Sequence, residues 1–388
     1  MTNNKDKKVL NVPNLRFQNF FEEWEEHYLS EYLEFKNGLN PNAEKFGRGI
    51  KFISVMDILS NNVITYDCIR ASVEITAEEL KSFIVKKGDI LFQRSSETLE
   101  DVGRANVYID DKPAVFGGFV IRGKKKSEYN PLFFKYLLAT PYARRKIIPM
   151  GAGAQHFNIG QEGLSKVKLY FPILQEQHKI ASLLQLIDER IATQNKIIED
   201  LKKLKSAIYQ ELFSNQQGEE YSLSELVEII KGQQINGNEL SENGKYYVMN
   251  GGIMPSGYYD DYNTEAGTIS ISEGGNSCGY VQYNSSKFWS GGHCYTLHIK
   301  PAAPISTLFL FHFLKWKETD IMTLRIGSGL PNIQKKDLSK VSIIVPTLDK
   351  QQRIMTLLST FQMKIEHEDM YAINLNKQKQ YLLSQMFI

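Results

Sequence analysis

The chain has 388 residues, which suggests two or three domains. A hydrophobic fraction of 42%, with 21 Phe and 20 Tyr, is ample for real cores and excludes wholesale disorder. A formal net charge of +2 excludes a strongly basic coating protein but not a local basic face. Three cysteines, Cys68, Cys278 and Cys294, argue against a disulfide framework and for a reducing compartment.

The opening MTNNKDKKVL lacks the apolar core of a signal peptide. The longest apolar stretch, around Ile305 to Leu314, is broken by His312 and Lys315 and is too short to span a bilayer. A soluble, cytoplasmic protein without a membrane partner is expected.

In chain order, GDILFQ (88–93) reads as a strand that feeds the loop RSSETLEDVGR and returns as ANVYI. Arg94 and Arg104 bracket Ser95, Ser96 and Thr98. Arginine can fork onto a guanine edge, and hydroxyls reach bases or phosphates. The run Lys124–Lys126 reads as a solvated loop. After PLFFKYLLAT (131–140) and the basic Arg144, Arg145 and Lys146 comes GAGAQHFN (151–158). Its Gln155, His156 and Asn158 suit phosphate or base-edge contact.

The apolar run Val167–Phe171 reads as a strand stopped by Pro172. A long helix is expected a few residues later. Ile180, Leu184, Ile187, Ile191, Gln194, Ile198, Leu201, Lys205, Ile208 and Leu212 step by four and three, the spacing of a coiled-coil seam.

The same plan then recurs. GTISIS (267–272) feeds EGGNSCGY, where Asn276, Ser277, Tyr280 and the backbone of Gly274 and Gly275 are candidate reading groups. The loop GSGLPN (327–332) follows Arg325 and offers Ser328 and Asn332. Val341–Val345 is stopped by Pro346. The second seam runs through Ile354, Leu358, Phe361, Ile365, Glu368, Ala372, Leu375, Lys379, Leu382 and Met386.

Residues 164–213 and 338–387 align without a gap, with about a third of the positions identical, which marks a duplicated unit. Weaker matches lie upstream, among them FGGFVI (116–121) with SGGHCYTL (290–297) and PLFFKYLLAT with TLFLFHFLKW (307–316). The polar breaks Gln194/Glu368 and Lys205/Lys379 keep register in both seams, as a seam with fixed alignment requires. An ordinary amphipathic helix on a globular core is the competing reading. Against it stand a length of ~38 residues, ~55 Å, and the lack of interior Gly or Pro.

The expected fold is α+β: two similar α/β recognition domains separated by two long antiparallel helices in a coiled coil, a pseudo-two-fold internal repeat. The boundaries are 1–163 and 216–337 for the recognition domains, 164–215 for a central helical region and 338–388 for a distal one.

Catalytic signatures do not appear. There is no GxxxxGK[ST] phosphate loop, no third glycine of a dinucleotide fingerprint, no [DN]PP[YFW] motif and no HExxH. Cys278, His293, Cys294 and His298 lack paired zinc spacing and read as ordinary strand residues, so no metal is expected.

The duplicated LSKV…P-x-L-x-E-Q-x-K-I-x-x-L-L unit, whose second copy departs at the E and the K, each copy preceded by a G-[AS]-G loop and a variable segment, resembles the specificity subunit of type I restriction–modification systems. The opening VPNLRF…WEEHYLSEYLEFKNG is similar to the start of such subunits. The resemblance implies a non-catalytic subunit whose two target recognition domains each read one half of a bipartite, non-palindromic site in double-stranded DNA. It implies that the helical pair sets the spacer and binds two methylation subunits, through which restriction subunits join. The complex would carry N6-adenine methyltransferase and ATP-dependent endonuclease activities. S-adenosylmethionine, ATP and Mg2+ would sit on the partners, with no cofactor here. A non-DNA coiled-coil scaffold and a stand-alone DNA-modifying enzyme are the alternatives. One departure is Asp349–Lys350 where the first copy has Gln175–Glu176.

Overall fold

Each of the two apolar runs that meet a proline forms a strand, and a long helix starts directly behind it. In the computed structural model, which describes residues 11–327 and 329–388, the strands are Lys168–Phe171 and Ser342–Val345. Four helices organise the rest: α1 (Pro131–Ala139), α2 (Leu174–Ser214), α3 (Thr307–Trp316) and α4 (Leu348–Gln385). The chain divides into two units, Met1–Asn195 with Met370–Ile388, and Lys196–Asp369. Each long helix thus contributes one stretch to each unit.

The two units repeat one topology. In the first, Leu33–Asn37, Val120–Lys125, Ile90–Gln93 and Ala105–Val107 lie side by side as an antiparallel sheet. In the second, the order is Val227–Lys231, Cys294–Ile299, Thr268–Ser272 and Val281–Asn284. Both expected hairpins are present, pairing Ile90 with Val107 and Ile271 with Val281. Amphipathic α1 and α3 close the cores, which are rich in aromatic rings: Trp24, Phe133, Phe134 and Phe387 in one, Phe213, Phe309 and Phe313 in the other. Among the described residues no helix is long and apolar enough to cross a membrane.

A buried glutamine ties each long helix to its globular segment. Gln177 donates to Pro172 O (3.0 Å) and accepts from Asn130 N (3.0 Å), and Asn130 caps α1. Gln351 donates to Pro346 O (2.9 Å) and Pro304 O (2.8 Å) and accepts from Ser306 N (2.9 Å), the residue that caps α3. These bonds satisfy backbone groups that a proline stop and a helix start leave open. The departure at Glu176/Lys350 also has a cause. Fully buried Glu176 is held by a two-pronged bond from Arg16 (both 2.7 Å), while Lys350 is exposed.

In the first unit Asp188 meets Lys379 (2.5 Å) and Arg190 meets Tyr371 (3.2 Å). In the second, Lys202 meets Asp369 (3.8 Å) and Lys205 meets Gln362 (2.7 Å). Within each unit the numbering falls along one helix as it rises along the other, so the helices are antiparallel. The structure buries Ile180, Leu184, Ile198, Ile354, Leu358, Ile365, Ala372, Leu375, Met386 and Gln194. It half-buries Ile187, Ile191, Leu201, Lys205, Ile208, Leu212, Phe361, Glu368, Lys379 and Leu382.

Where α3 lies on α2, His312 Nδ1 is hydrogen-bonded to the Tyr209 hydroxyl. Burial, and then the charge of Lys205, hold this imidazole down at about 4, against 6.5 in an unfolded chain. Between those values the unfolded state binds more protons than the folded one. The contribution is therefore complete above pH 6.5 and is lost as pH falls through 4. Discounted for partial exposure, it amounts to about 2 kcal/mol. Urea midpoints from pH 7 to 4 should fall less steeply for His312→Gln than for the wild type. Equal slopes would refute the assignment.

Candidate nucleic-acid interface

The expected reading segments, far apart in sequence, meet within each unit. In the first, residue 94 opens the hairpin loop, and Arg94 O accepts from Ile159 N (2.9 Å) at the end of the GAGAQHFNI loop. Ser95 and Ser96 pair with Asn158 and Phe157, and the Ser95 hydroxyl bonds Asn158 Oδ1. In the second, Glu273 O accepts from Ile333 N (2.8 Å), Gly274 bridges Asn332, and Gly275 N donates to Pro331 O (3.0 Å). The hairpin loop and the glycine loop are therefore one surface in each unit.

The side chains on that surface are placed unequally. Gln155, His156, Asn158, Asn276 and Asn332 are exposed, and Ser95, Ser96 and Ser277 are half-buried. Exposed Thr98 and Arg104 are held to Asp101 (2.9 and 2.6 Å) at the loop's far end. Arg94 donates to Gly118 O (3.2 Å) and is half-buried. Tyr280 lies under the Lys315 ammonium, 4.0 Å from the ring centre. Ser328 lies outside the described residues.

The basic residues that precede the glycine loops are placed differently in the two units. Arg144 does not face outward: it donates to Glu100 O (2.8 Å) and Val102 O (2.6 Å) and fastens the hairpin loop to its helix. Burial, then the charge of Arg104, push its pKa down. Arg325 lies just beyond the helix Glu318–Thr323, which ends with its cap at Leu324. Among the described residues no three His, Cys, Asp or Glu side chains are grouped to hold a metal ion. Cys278 and Cys294 are buried.

A third segment joins the surface in both units. Arg94 N donates to Phe119 O (2.8 Å), and Glu273 N donates to His293 O (2.9 Å). Phe119 and His293 end the turns F-G-G-F and S-G-G-H. Their alignment was visible in sequence, but their place beside the hairpins was not, since only the fold brings residue 119 to residue 94.

One scaffold built twice, carrying different polar groups, is what a reader of two unlike sequences needs. Comparison with known proteins agrees. The family model described as "Type I restriction modification DNA specificity domain" matches residues 21–203 and 215–375. The chain belongs to this family. Its two matches stand in tandem, the first reaching through most of α2 and the second through most of α4.

A Mycoplasma pneumoniae protein named as a type I specificity subunit is 34% identical over 162 residues, 41% of this chain and 43% of that one. The chain thus spans less than half of that relative. The MjaX specificity subunit of Methanocaldococcus jannaschii, a type I restriction enzyme component by name, is 25% identical over 407 residues, 94% of this chain and 92% of that one. Among solved structures, the type I restriction–modification S subunit of M. genitalium gives a TM-score of 0.59 at 20% identity, covering 97% of this chain and 99% of that chain. A chain from a study of type I complex assembly gives 0.64 at 16% identity, covering 94% and 97%. These structural likenesses establish the shared fold.

Proposed function

We propose that this chain is the DNA-reading, non-catalytic subunit of a type I restriction–modification complex in the cytoplasm. Each recognition domain reads one half of a split, non-palindromic site through its joined hairpin and glycine loops. The paired helices set the unread spacer and bind two methylation subunits, through which restriction subunits join. Those partners carry S-adenosylmethionine, ATP and Mg2+ and perform N6-adenine methylation and cleavage. A net charge near zero suits a reader that shares its grip on the phosphates with partners.

The observation that carries this reading is the duplicated scaffold with exchanged chemistry. The node occupied by Arg94 in one unit is Glu273 in the other, and Ser95 is replaced by Gly274, on the same backbone bonds. Methylome sequencing of cells with this gene and its methylation subunit, against cells lacking this gene, tests it. A split motif that gains N6-methyladenine only with both genes is expected. No such motif would end the proposal.

A further inference from the structure

The twin turns that close each reading surface have backbones alike and side chains unlike. Gly117 N donates to Ile53 O (3.0 Å), and Gly291 N donates to Met249 O (2.8 Å). Val120 N donates to Gly117 O (2.8 Å), and Cys294 N donates to Gly291 O (3.0 Å). Leu39 N donates to Phe116 O (2.9 Å), and Gln233 N donates to Ser290 O (2.8 Å). The second glycine of each turn packs closely on a neighbouring amide: a Cβ on Gly118 would displace that of Asn40, and one on Gly292 that of Gln234. The backbone bonds thus give both turns one shape, and different side chains follow the second glycine in each.

Both side chains are left in the open. Phe119 is 68% exposed, and the His293 side chain is 63% exposed. An exposed ring is common on this chain, and what sets Phe119 apart is its place beside the reading loops. Phe119 borders an apolar cleft of about 530 Å3, whose wall includes Phe46, Phe52 and Met56. The cleft also touches Ser95, so it continues the reading surface. His293 sits in a polar setting instead: its backbone N donates to Asn250 Oδ1 (3.0 Å), and Nδ1 lies 3.9 Å from Glu273 Oε2.

We propose that Phe119 and His293 are matching base-contacting residues, one in each recognition domain. This rests on the chain being a DNA reader. Phe119 packs on the C5-methyl of a thymine in the major groove, an apolar contact that cytosine cannot supply. His293 donates a ring N–H to a purine N7. The difference between them, on one scaffold, makes the two half-sites unlike at the corresponding base.

The test compares methylomes written by the full chain with its methylation subunits, as wild type, Phe119→Ala, Phe119→His and His293→Ala. Both positions are exposed, and circular dichroism confirms that each variant folds. Phe119→Ala should relax one base position in one half-site, with discrimination there falling roughly tenfold, and leave the other half intact. Phe119→His should shift that same position towards a purine. His293→Ala should relax one position in the opposite half-site only. Unchanged motifs in all three variants, or one variant that alters both halves, would overturn the inference. A wild-type chain that writes no split motif would instead refute the DNA-reading function itself.

Discussion

Replacing Asp188 by leucine should destabilise the first unit by about 3–5 kcal/mol, the cost of breaking a buried ion pair. Asp188 is 6% exposed on α2. Lys379 from α4 approaches one oxygen (2.5 Å), and Lys135 (3.3 Å) and the Tyr136 hydroxyl (2.8 Å) from α1 approach the other. One carboxylate thus locks three helices. Burial raises its pKa, but the hydrogen bond from Lys379 and the charges of both lysines outweigh this, and the net shift is downward. Burial already pulls Lys135 down to about 8, even with Asp188 beside it. Without the carboxylate, two ammonium groups would remain enclosed with no counter-charge.

The second unit shows how the loss can be repaired. In the duplicated units Gln362 stands where the first unit has Asp188, Lys205 where it has Lys379, and Phe311 where it has Lys135. One amide there faces one lysine (2.7 Å). Asp188→Gln with Lys135→Phe should therefore recover most of the stability that Asp188→Leu loses. Equilibrium urea unfolding measures both. An Asp188→Leu midpoint close to that of the wild type would remove the network from the account of what fixes helix register.

This network also marks where sequence reading stopped. The seam lysines Lys205 and Lys379 were visible because they interrupt an apolar spacing. Asp188 was not, because it sits off the four-and-three pattern among other surface-like acids, and its cover comes from α1, more than fifty residues away in sequence. The same limit applied at the reading surface. The hairpins and the G-[AS]-G loops each had a local signature of turn residues and polar tips. Their joining through the 94–159 and 273–333 backbone bonds, and the arrival of residues 119 and 293 beside them, depend on non-local pairing that no periodicity encodes. Arg144 was legible only as part of a basic run before the glycine loop. Its guanidinium turns inward because two loop carbonyls need donors there.

Lengthening the helical pair by one heptad should abolish methylation of the split site, and lengthening it by three should restore it with a wider spacer. The unit boundaries fall between Asn195 and Lys196 on α2 and between Asp369 and Met370 on α4. Insertions at both places keep every contact within each unit. With the helices laid along the duplex, one heptad adds ~10.5 Å, about three base pairs. It turns the second unit by only about 20° in the left-handed sense. Three base pairs turn the groove by roughly 100° in the right-handed sense, so the second reader would face the wrong side of the DNA. Three heptads add ~31 Å and about 60° of left-handed rotation. About nine base pairs match that length and stop roughly 40–50° short of a full turn, so both readers face their grooves again. Methylome sequencing of the two insertion variants reads the outcome directly. A single-heptad variant that methylates the original site at the wild-type rate would show that the helices do not set the spacing.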